Sequence, residues 1–247
     1  MKHTLVMGIV NVTPDSFSDG GKFFRPEEAL ARARNMITEG ANIIDLGGES
    51  TRPGATPLDP QTEWQRLKPV LTQLAASTKT PLSIDTYHPE TAAQSIAHGA
   101  TIINCVYPEP IPEMIRTIFS SGRKNIELIL PAPCLPLIQE ANAKGPWPIP
   151  FYLDPMIGFG TSREEDLQLL ARIPSLARQG RVLIGASRKR IIKKLTGENV
   201  TGKNLGGNLG LAVWCALNGA DAVRVHDVRE TVQALRVFET LEAQKTC

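Results

Sequence analysis

Short apolar runs alternate with longer segments of helical periodicity along most of this chain of 247 residues. Apolar residues that recur every three or four positions indicate amphipathic helices, whereas short apolar runs bounded by turn residues indicate strands. This alternation is typical of repeated βα units around a mostly parallel sheet. The predicted strands are Leu5–Val10, Asn42–Leu46, Leu82–Asp85, Thr101–Asn104, Ile126–Leu130, Ile149–Leu153, Val182–Gly185 and Ala222–Val225.

Helical patterns fill most of the intervals between these strands. Pro26 and Ser162 each precede a pair of glutamates, which places acidic side chains at the positive end of a helix. The predicted helices are Pro26–Glu39, Pro60–Ala76, Pro89–His98, Pro112–Ser121, Ser162–Arg178, Lys203–Asn218 and Val228–Ala243.

The fifth unit is the weak one, because residues 131–150 contain six prolines. Proline removes a backbone donor and clashes inside a helix, so only a short helix near Leu137–Lys144 is expected there. Eight strands in a chain of this length predict an α/β fold of the (β/α)₈ barrel type, built as a single domain over residues 1–247.

The charge balance gives no electrostatic argument for binding to nucleic acid or to a membrane surface. Lysine and arginine total 27, aspartate and glutamate total 25, and the two signs are interspersed. A formal net charge of +2 gives no reason to expect nucleic acid or a membrane surface as a partner. Small anionic substrates remain open, because they need only a local cluster of positive charge.

The four cysteines, Cys105, Cys134, Cys215 and Cys247, lack the paired spacing of a zinc site or a disulfide framework. We therefore expect reduced and mostly buried thiols. The chain shows neither a secretion signal nor an apolar run long enough to cross a membrane, so a cytoplasmic location is the expectation.

Six polar segments each follow the end of a predicted strand. In a barrel such segments converge on the mouth where the active sites of this architecture lie. They are residues 8–21, 45–55, 83–86, 102–104 and 154–160, and the pair 187–189 with 224–227.

Asp85, Asn104 and Asp154 end the third, fourth and sixth predicted strands. Two carboxylates and an amide could read the donors and acceptors at the edge of a nitrogen-rich bicyclic ring. Alternatively, each aspartate could cap the helix that follows it.

Lys189, Arg224 and His226 supply positive charge and hydrogen-bond donors after the last two strands. Such a cluster suits an oxyanion, and diphosphate is the first candidate. The basic run that includes Arg188 and Arg190 could instead be a solvated surface patch.

The first polar segment offers Asn11, Asp15 and Asp19, whose hard oxygen atoms could hold Mg²⁺ against a diphosphate. The alternative is a purely structural turn. The second segment carries Thr51 and Arg52 before a Pro-Gly break, which is consistent with a lid that orders over substrate.

Other aromatic and histidine residues have simpler interpretations. Core or interhelix packing is expected for Trp64, Trp214 and Phe238. Surface or helix-end positions are expected for His3, His88 and His98.

The order and content of these motifs resemble the dihydropteroate synthases of the pterin-binding barrel group, over nearly the whole chain. The matching motifs are residues 11–21, 47–55, 83–86, 158–160, 187–189 and 224–228. The resemblance implies a transferase of folate biosynthesis that moves a dihydropterin-methyl group from its diphosphate to 4-aminobenzoate. It also implies Mg²⁺ as cofactor, a sulfonamide target and a homodimer packed through outer helices. The apolar stretch Leu209–Leu217 could serve as that surface or could simply be core.

Site roles follow from the same resemblance, motif by motif. The pterin would be held by Asp85, Asn104, Asp154 and Lys189, with Val106 and Phe159 beside it. Asn11 would help to bind Mg²⁺ and diphosphate, and the diphosphate would also contact Arg224 and His226. The aminobenzoate pocket would include Thr51, Arg52, Pro53 and Ser187. The catalytic residues would be Asp19, Asp85, Lys189 and Arg224.

The middle of the chain departs from the family pattern. Cys105 replaces an aspartate, residues 130–133 replace a His-Met strand end with its Gly-Pro turn, and Met156 replaces a glycine. Thr161 or Ser162 stands in place of a lysine, and Asp166 in place of an asparagine.

These departures leave an alternative to a working synthase, namely a pterin-binding paralogue that serves as a binding or partner subunit. A folate-dependent methyltransferase domain shares the barrel, but it has no use for the Thr51–Arg52 segment or for a diphosphate cluster.

Overall fold

The computed structural model describes residues 3–13, 26–49, 57–200 and 202–245. Eight parallel strands form a closed barrel in sequence order, with β8 hydrogen-bonded to β1. The predicted (β/α)₈ fold is therefore confirmed. The strands are β1 Leu5–Asn11, β2 Ile43–Gly47, β3 Leu82–Asp85, β4 Ile102–Asn104, β5 Glu127–Pro131, β6 Phe151–Asp154, β7 Arg181–Ile184 and β8 Ala222–Val225.

Helices lie outside the strands, and those of the described residues fall close to the predicted positions. They are α1 Pro26–Thr38, α2 Pro60–Ser77, α3 Pro89–Ala97, α4 Ile111–Ser120, α5 Leu135–Lys144, α6 Arg163–Ala171, α7 Ile173–Leu176, α8 Arg190–Thr196, α9 Leu205–Leu217 and α10 Val228–Gln244. None of the helices in this part of the chain is long and apolar enough to cross a membrane.

Two helix predictions need correction. The single helix expected over Ser162–Arg178 is divided into α6 and α7, because Pro174 cannot continue a helix but suits the first turn of a new one. The basic run after Lys189 is partly helical, as α8, where the sequence had predicted no helix.

The fifth unit is short, as expected. A single 3₁₀ turn over Ala132–Cys134 connects β5 to α5, and α5 begins slightly earlier than the sequence indicated. Asn142 ties the end of this unit to the next strand: its Nδ2 donates to the Ile149 carbonyl oxygen at 2.9 Å, and its Oδ1 accepts from the Ile149 nitrogen at 2.8 Å.

An apolar layer fills the lower part of the barrel, below the strand ends that carry polar residues. Its buried members come from seven of the eight strands: Met7, Ile43, Ile102, Ile129, Tyr152, Leu183 and Ala222. Side chains alternate between the two faces of a strand, so a residue two positions further along points to the same interior. This layer therefore forms the floor of any site at the mouth.

Candidate active site

The polar side chains at the mouth lie directly above the apolar floor. Asp45, Asn104, Asp154 and Arg224 each follow a floor residue by two positions on the same strand. The period of the strand therefore brings two carboxylates, an amide and a guanidinium into the barrel interior. Asp45 is fully buried, and Asn104 and Asp154 are almost so.

Arg224 joins Asp45 to a third carboxylate, that of Asp85 at the end of β3. Its Nε lies 2.6 Å from Asp45 Oδ2, and its Nη2 lies 2.6 Å from Asp85 Oδ2. Both are charge-assisted hydrogen bonds, which are shorter and stronger than neutral ones. The guanidinium is therefore paired with Asp45 and Asp85 at the barrel mouth. Its contact with diphosphate, together with Lys189 and His226, stays a prediction.

Asp45 is the site residue that sequence reasoning missed. Besides Arg224 it accepts a long hydrogen bond from Asn104 Nδ2, at 3.4 Å. The available signal was a carboxylate in the middle of an otherwise apolar strand, which is costly unless it is paired. Asp45 thereby links the strands that carry the amide and the guanidinium.

Two oxygen atoms at the mouth are buried and have no hydrogen-bond partner among the described residues, Asp45 Oδ1 and Asn104 Oδ1. Buried acceptors of this kind are usually satisfied in a native structure. They are therefore suited to the N–H and amino groups of a bound heterocycle.

Burial controls the protonation of Asp85. It raises the pKa of Asp85 to about 7, while the neighbouring Arg224 opposes this rise and Asp45 adds to it. The carboxyl is therefore close to the balance between its acid and anion forms at neutral pH, which suits a group that exchanges a proton with a ring nitrogen.

Asp154 is held by the backbone of the segment that follows β6. Its Oδ1 accepts from the Met156 nitrogen at 2.7 Å, and burial raises its pKa while Lys189 opposes this. Met156 has φ of 69°, in the left-handed region that favours glycine. The methionine therefore takes up the backbone conformation that the replaced glycine would adopt easily.

Lys189 lies over the aromatic ring of Phe159. Its Nζ is 4.0 Å from the ring centroid and donates to the Ile157 carbonyl oxygen at 2.7 Å. Burial lowers the pKa of Lys189, and the carboxylate of Asp154 opposes this. Lysine, phenylalanine and aspartate therefore share one side of the mouth, the arrangement expected of a pterin subsite.

Asp166 stabilises the loop that carries Phe159 through hydrogen bonds. Its Oδ1 accepts from the Gly158 nitrogen at 2.8 Å and from Thr161 Oγ1 at 2.5 Å, and the residue is fully buried. Two departures from the family pattern, Thr161 and Asp166, are thus hydrogen-bonded to each other.

Ser187 and His226 form a neutral pair at the ends of the last two strands. Ser187 Oγ lies 3.1 Å from His226 Nδ1. Burial, together with Arg188 and Arg224, lowers the pKa of His226 to about 4. The imidazole is therefore uncharged at neutral pH and can serve as a hydrogen-bonding group.

Cys105 does not face the barrel interior. It belongs to the apolar layer between the strands and helices, is fully buried, and has a thiol pKa raised to about 12 by burial. The side chain that replaces the family's aspartate therefore lies behind the strand, opposite to Asn104. The next residue, Val106, is also buried.

Several predicted site residues lie outside the described part of the chain, namely Asp15, Asp19, Thr51, Arg52 and Pro53. Asn11 is described and is exposed at the end of β1. Among the described residues there is no group of three acidic, histidine or cysteine side chains that could hold a metal ion.

Other predictions had mixed outcomes. Trp64 is buried, as expected, whereas Trp214 is 38% exposed, which contradicts a core position for it. His88 precedes α3, as a helix-end residue should, but its side chain also packs on Tyr87 at a ring distance of 4.1 Å. The described cysteines, Cys105, Cys134 and Cys215, are free and buried.

Comparison with known proteins identifies the family. The model of the pterin binding enzyme family matches residues 7–126 and 139–226. Escherichia coli K12 dihydropteroate synthase is 37% identical, with 99% of this chain and 94% of that protein covered.

Solved structures agree with this match. Xanthomonas albilineans dihydropteroate synthase with 4-aminobenzoic acid has a TM-score of 0.87 at 37% identity, covering 98% of this chain and 94% of that one. The same enzyme with 7,8-dihydropteroate has a TM-score of 0.84 at 35% identity, with the same coverage. The chain therefore belongs to the pterin-binding enzymes and, among them, to the dihydropteroate synthase family.

Proposed function

We propose that this chain condenses 6-hydroxymethyl-7,8-dihydropterin diphosphate with 4-aminobenzoate, giving 7,8-dihydropteroate and diphosphate. The observation that carries the proposal is the polar layer above the barrel floor, in which carboxylates, an amide and a lysine lie together at the ends of the strands. Such a set matches the donor and acceptor edge of a pterin.

The pterin would be recognised by Asp85, Asn104, Asp154 and Lys189. Asn104 offers a buried oxygen that has no partner among the described residues, and the two carboxylates can accept from ring N–H and amino groups. Phe159, beneath Lys189, would supply an apolar surface for the flat ring.

Departure of diphosphate requires stabilisation of negative charge. Arg224 carries a permanent positive charge at the mouth, and His226 is a neutral donor near it. Asn11 fits Mg²⁺ as one hard oxygen ligand, because this ion commonly takes one or two protein ligands and completes its shell with phosphates and water. When bound, Mg²⁺ would neutralise the leaving diphosphate.

The aryl amine then attacks the exposed pterin-methyl carbon, which behaves as a cation stabilised by the ring and nearby carboxylates. No covalent enzyme intermediate is needed, so the site needs no nucleophile paired with a base. Ser187, with residues 51–53, would bound the aminobenzoate pocket, and a sulfonamide would compete there.

The departures from the family pattern support a working enzyme over an impaired paralogue. Met156 keeps the left-handed backbone, Asp166 and Thr161 hold the Phe159 loop together, and Cys105 lies behind its strand. These four residues are each accommodated by the structure around them.

A homodimer is the proposed assembly. Helices α9 and α10 expose four large apolar side chains, Trp214, Leu217, Val237 and Leu241. These helices pack against each other, so the exposed groups belong to one side of the barrel. An apolar surface of this kind is typical of a subunit interface.

Calorimetric titration with the dihydropterin diphosphate, Mg²⁺ and 5-methyltetrahydrofolate separates the candidate functions. A synthase is expected to bind the diphosphate and to lose at least ~10-fold affinity in Lys189→Ala, because a charged hydrogen bond is removed. Arg116→Ala, an exposed change on α4, is the matched control. Binding of the methylated folate alone would instead favour the methyltransferase candidate.

A further inference from the structure

Glu63, in the first turn of α2, is a buried carboxylate outside the substrate-contacting set. It is 1% exposed, and its Oε2 accepts from Thr86 Oγ1 at 2.7 Å. Its Oε1 is buried without a hydrogen-bond partner in the described ranges. A carboxylate is rarely buried in this way without a specific use, because leaving water is costly.

The same turn of α2 also contacts the chain that leaves β2. A Cβ atom on Gly48 would lie only 3.0 Å from Glu63 Cγ, so this glycine permits a close approach. Arg66 Nη1 donates to the Gly48 carbonyl oxygen at 3.0 Å. Two side chains of α2 therefore fix the position of Gly48.

Thr86 connects this turn to the mouth. It directly follows Asp85, and its backbone nitrogen donates to the Asn104 carbonyl oxygen at 3.1 Å. Its hydroxyl donates to Glu63 and accepts from the His88 nitrogen at 3.1 Å. The Thr86 side chain is thus held from two directions, beside a residue that faces the proposed pterin subsite.

We propose that Glu63 is a positioning residue of the active site, which acts through Thr86 to fix Asp85. The role of Asp85 rests on the proposed synthase function. Glu63 does not touch substrate. It sets the orientation of the end of β3, and its charge influences the proton affinity of the Asp85 carboxyl.

The electrostatics agree with this geometry. Burial raises the pKa of Glu63 to about 7; the hydroxyls of Thr86 and Thr91 oppose this rise, Glu49 adds to it and Arg66 opposes it. Glu63 in turn raises the pKa of Asp85. The titratable and charged groups that face the two carboxyls from the surrounding elements are Asp45, Glu49, Arg66, Tyr87, Cys105, Tyr107, Lys189 and Arg224.

Carbon-13 NMR of the side-chain carboxyls tests the charge coupling in the ligand-free protein. The Asp85 signal is assigned by its loss in Asp85→Asn, and its titration midpoint is compared between wild type and Glu63→Gln. The amide of glutamine can still accept from Thr86 but carries no charge. We expect the midpoint to fall by about half a pH unit or more, because a nearby negative charge has been removed.

Thr231→Val is the matched control. It removes a buried hydroxyl that donates to the Asp227 carbonyl oxygen, away from this pair. An Asp85 midpoint that is unchanged in Glu63→Gln, or that moves equally in Thr231→Val, would overturn the charge coupling.

Pterin affinity tests the orientation. Thr86→Val removes the hydroxyl that Glu63 accepts from and is expected to weaken dihydropterin binding ~5-fold, whereas Thr86→Ser keeps the hydroxyl and restores affinity. Equal affinity in all three proteins would overturn the positioning role.

The two proposals can fail separately. The NMR titration needs neither substrate nor turnover, so a wild-type protein that forms no dihydropteroate could still show the Asp85 shift. In that case the synthase proposal fails and the coupling stands. Conversely, product formation without an Asp85 shift would support the synthase proposal and overturn the charge coupling.

Discussion

At the scale of single residues, the site depends on where a strand changes from apolar to polar. Asp85, Asn104 and Asp154 could be predicted because polar residues that end apolar runs are visible in a sequence. Asp45 was given no role, because it lies inside an apolar run, although a carboxylate in such a run is itself a sign of pairing. Its pairing with Arg224 joins positions 179 residues apart, and no local pattern encodes that contact.

Asp45→Asn tests the importance of this buried ion pair. We expect the free energy of unfolding to fall by about 1–3 kcal/mol, because Arg224 loses one charged partner while remaining buried. Turnover should fall at least ~10-fold, since the guanidinium is less firmly oriented. Urea unfolding and steady-state kinetics measure both effects.

Glu113→Gln provides the comparison for this change, because Glu113 pairs with Arg116 on the exposed face of α4. An Asp45→Asn protein that matches this control in both stability and turnover would contradict the assigned role.

Cys105→Asp would restore the family's acidic residue, yet the structure predicts damage rather than gain. The side chain is fully buried in the apolar outer layer, so a carboxylate there should cost about 2–4 kcal/mol of stability. Cys105→Val, which keeps the site apolar, should cost far less. Thermal denaturation of both variants measures this, and an aspartate variant as stable as wild type would place position 105 in a polar environment instead.

At the scale of elements, the strands agreed closely with prediction, because buried parallel strands read as compact apolar runs. The helix boundaries were predicted less accurately than the strands. Pro174 ends one helix and begins another, and a proline can do either according to the packing around it. The substitutions between β6 and α6 could be recognised in the sequence. The hydrogen bond between Thr161 and Asp166 could be identified only from the structure.

Asp166→Ala and Asp166→Asn test that hydrogen-bonded loop. Alanine removes the acceptor shared by Gly158 and Thr161, so pterin affinity should fall ~10-fold as the Phe159 loop loosens. The Asp166→Asn variant keeps an acceptor oxygen and should lose much less pterin affinity. Calorimetry with the dihydropterin distinguishes them, and equal losses in the two variants would show that charge, rather than loop geometry, is what matters.

At the scale of the whole molecule, the count of eight units predicted the barrel, and barrel closure then brings the polar strand ends together. What the pattern could not assign was the use of the outer helices. The apolar stretch at Leu209–Leu217 was compatible with either core or interface, and the exposure of Trp214 and Leu217 now favours an interface.

Leu217→Glu with Leu241→Glu should therefore convert a dimer to a monomer, because charge in an apolar interface is strongly unfavourable. Sedimentation velocity compares this double variant with wild type, and Leu137→Glu with Leu167→Glu introduces the same charges at exposed positions on α5 and α6. A monomeric wild type, or a dimer that survives the double change, would contradict the proposed assembly.

The most direct test of the proposed reaction is product formation by purified protein. The protein is mixed with 6-hydroxymethyl-7,8-dihydropterin diphosphate, 4-aminobenzoate and Mg²⁺, and 7,8-dihydropteroate is followed by chromatography. We predict product that disappears with EDTA and returns with added Mg²⁺. Binding of the pterin diphosphate without any product would contradict the synthase assignment and favour a paralogue that keeps the pocket without the chemistry.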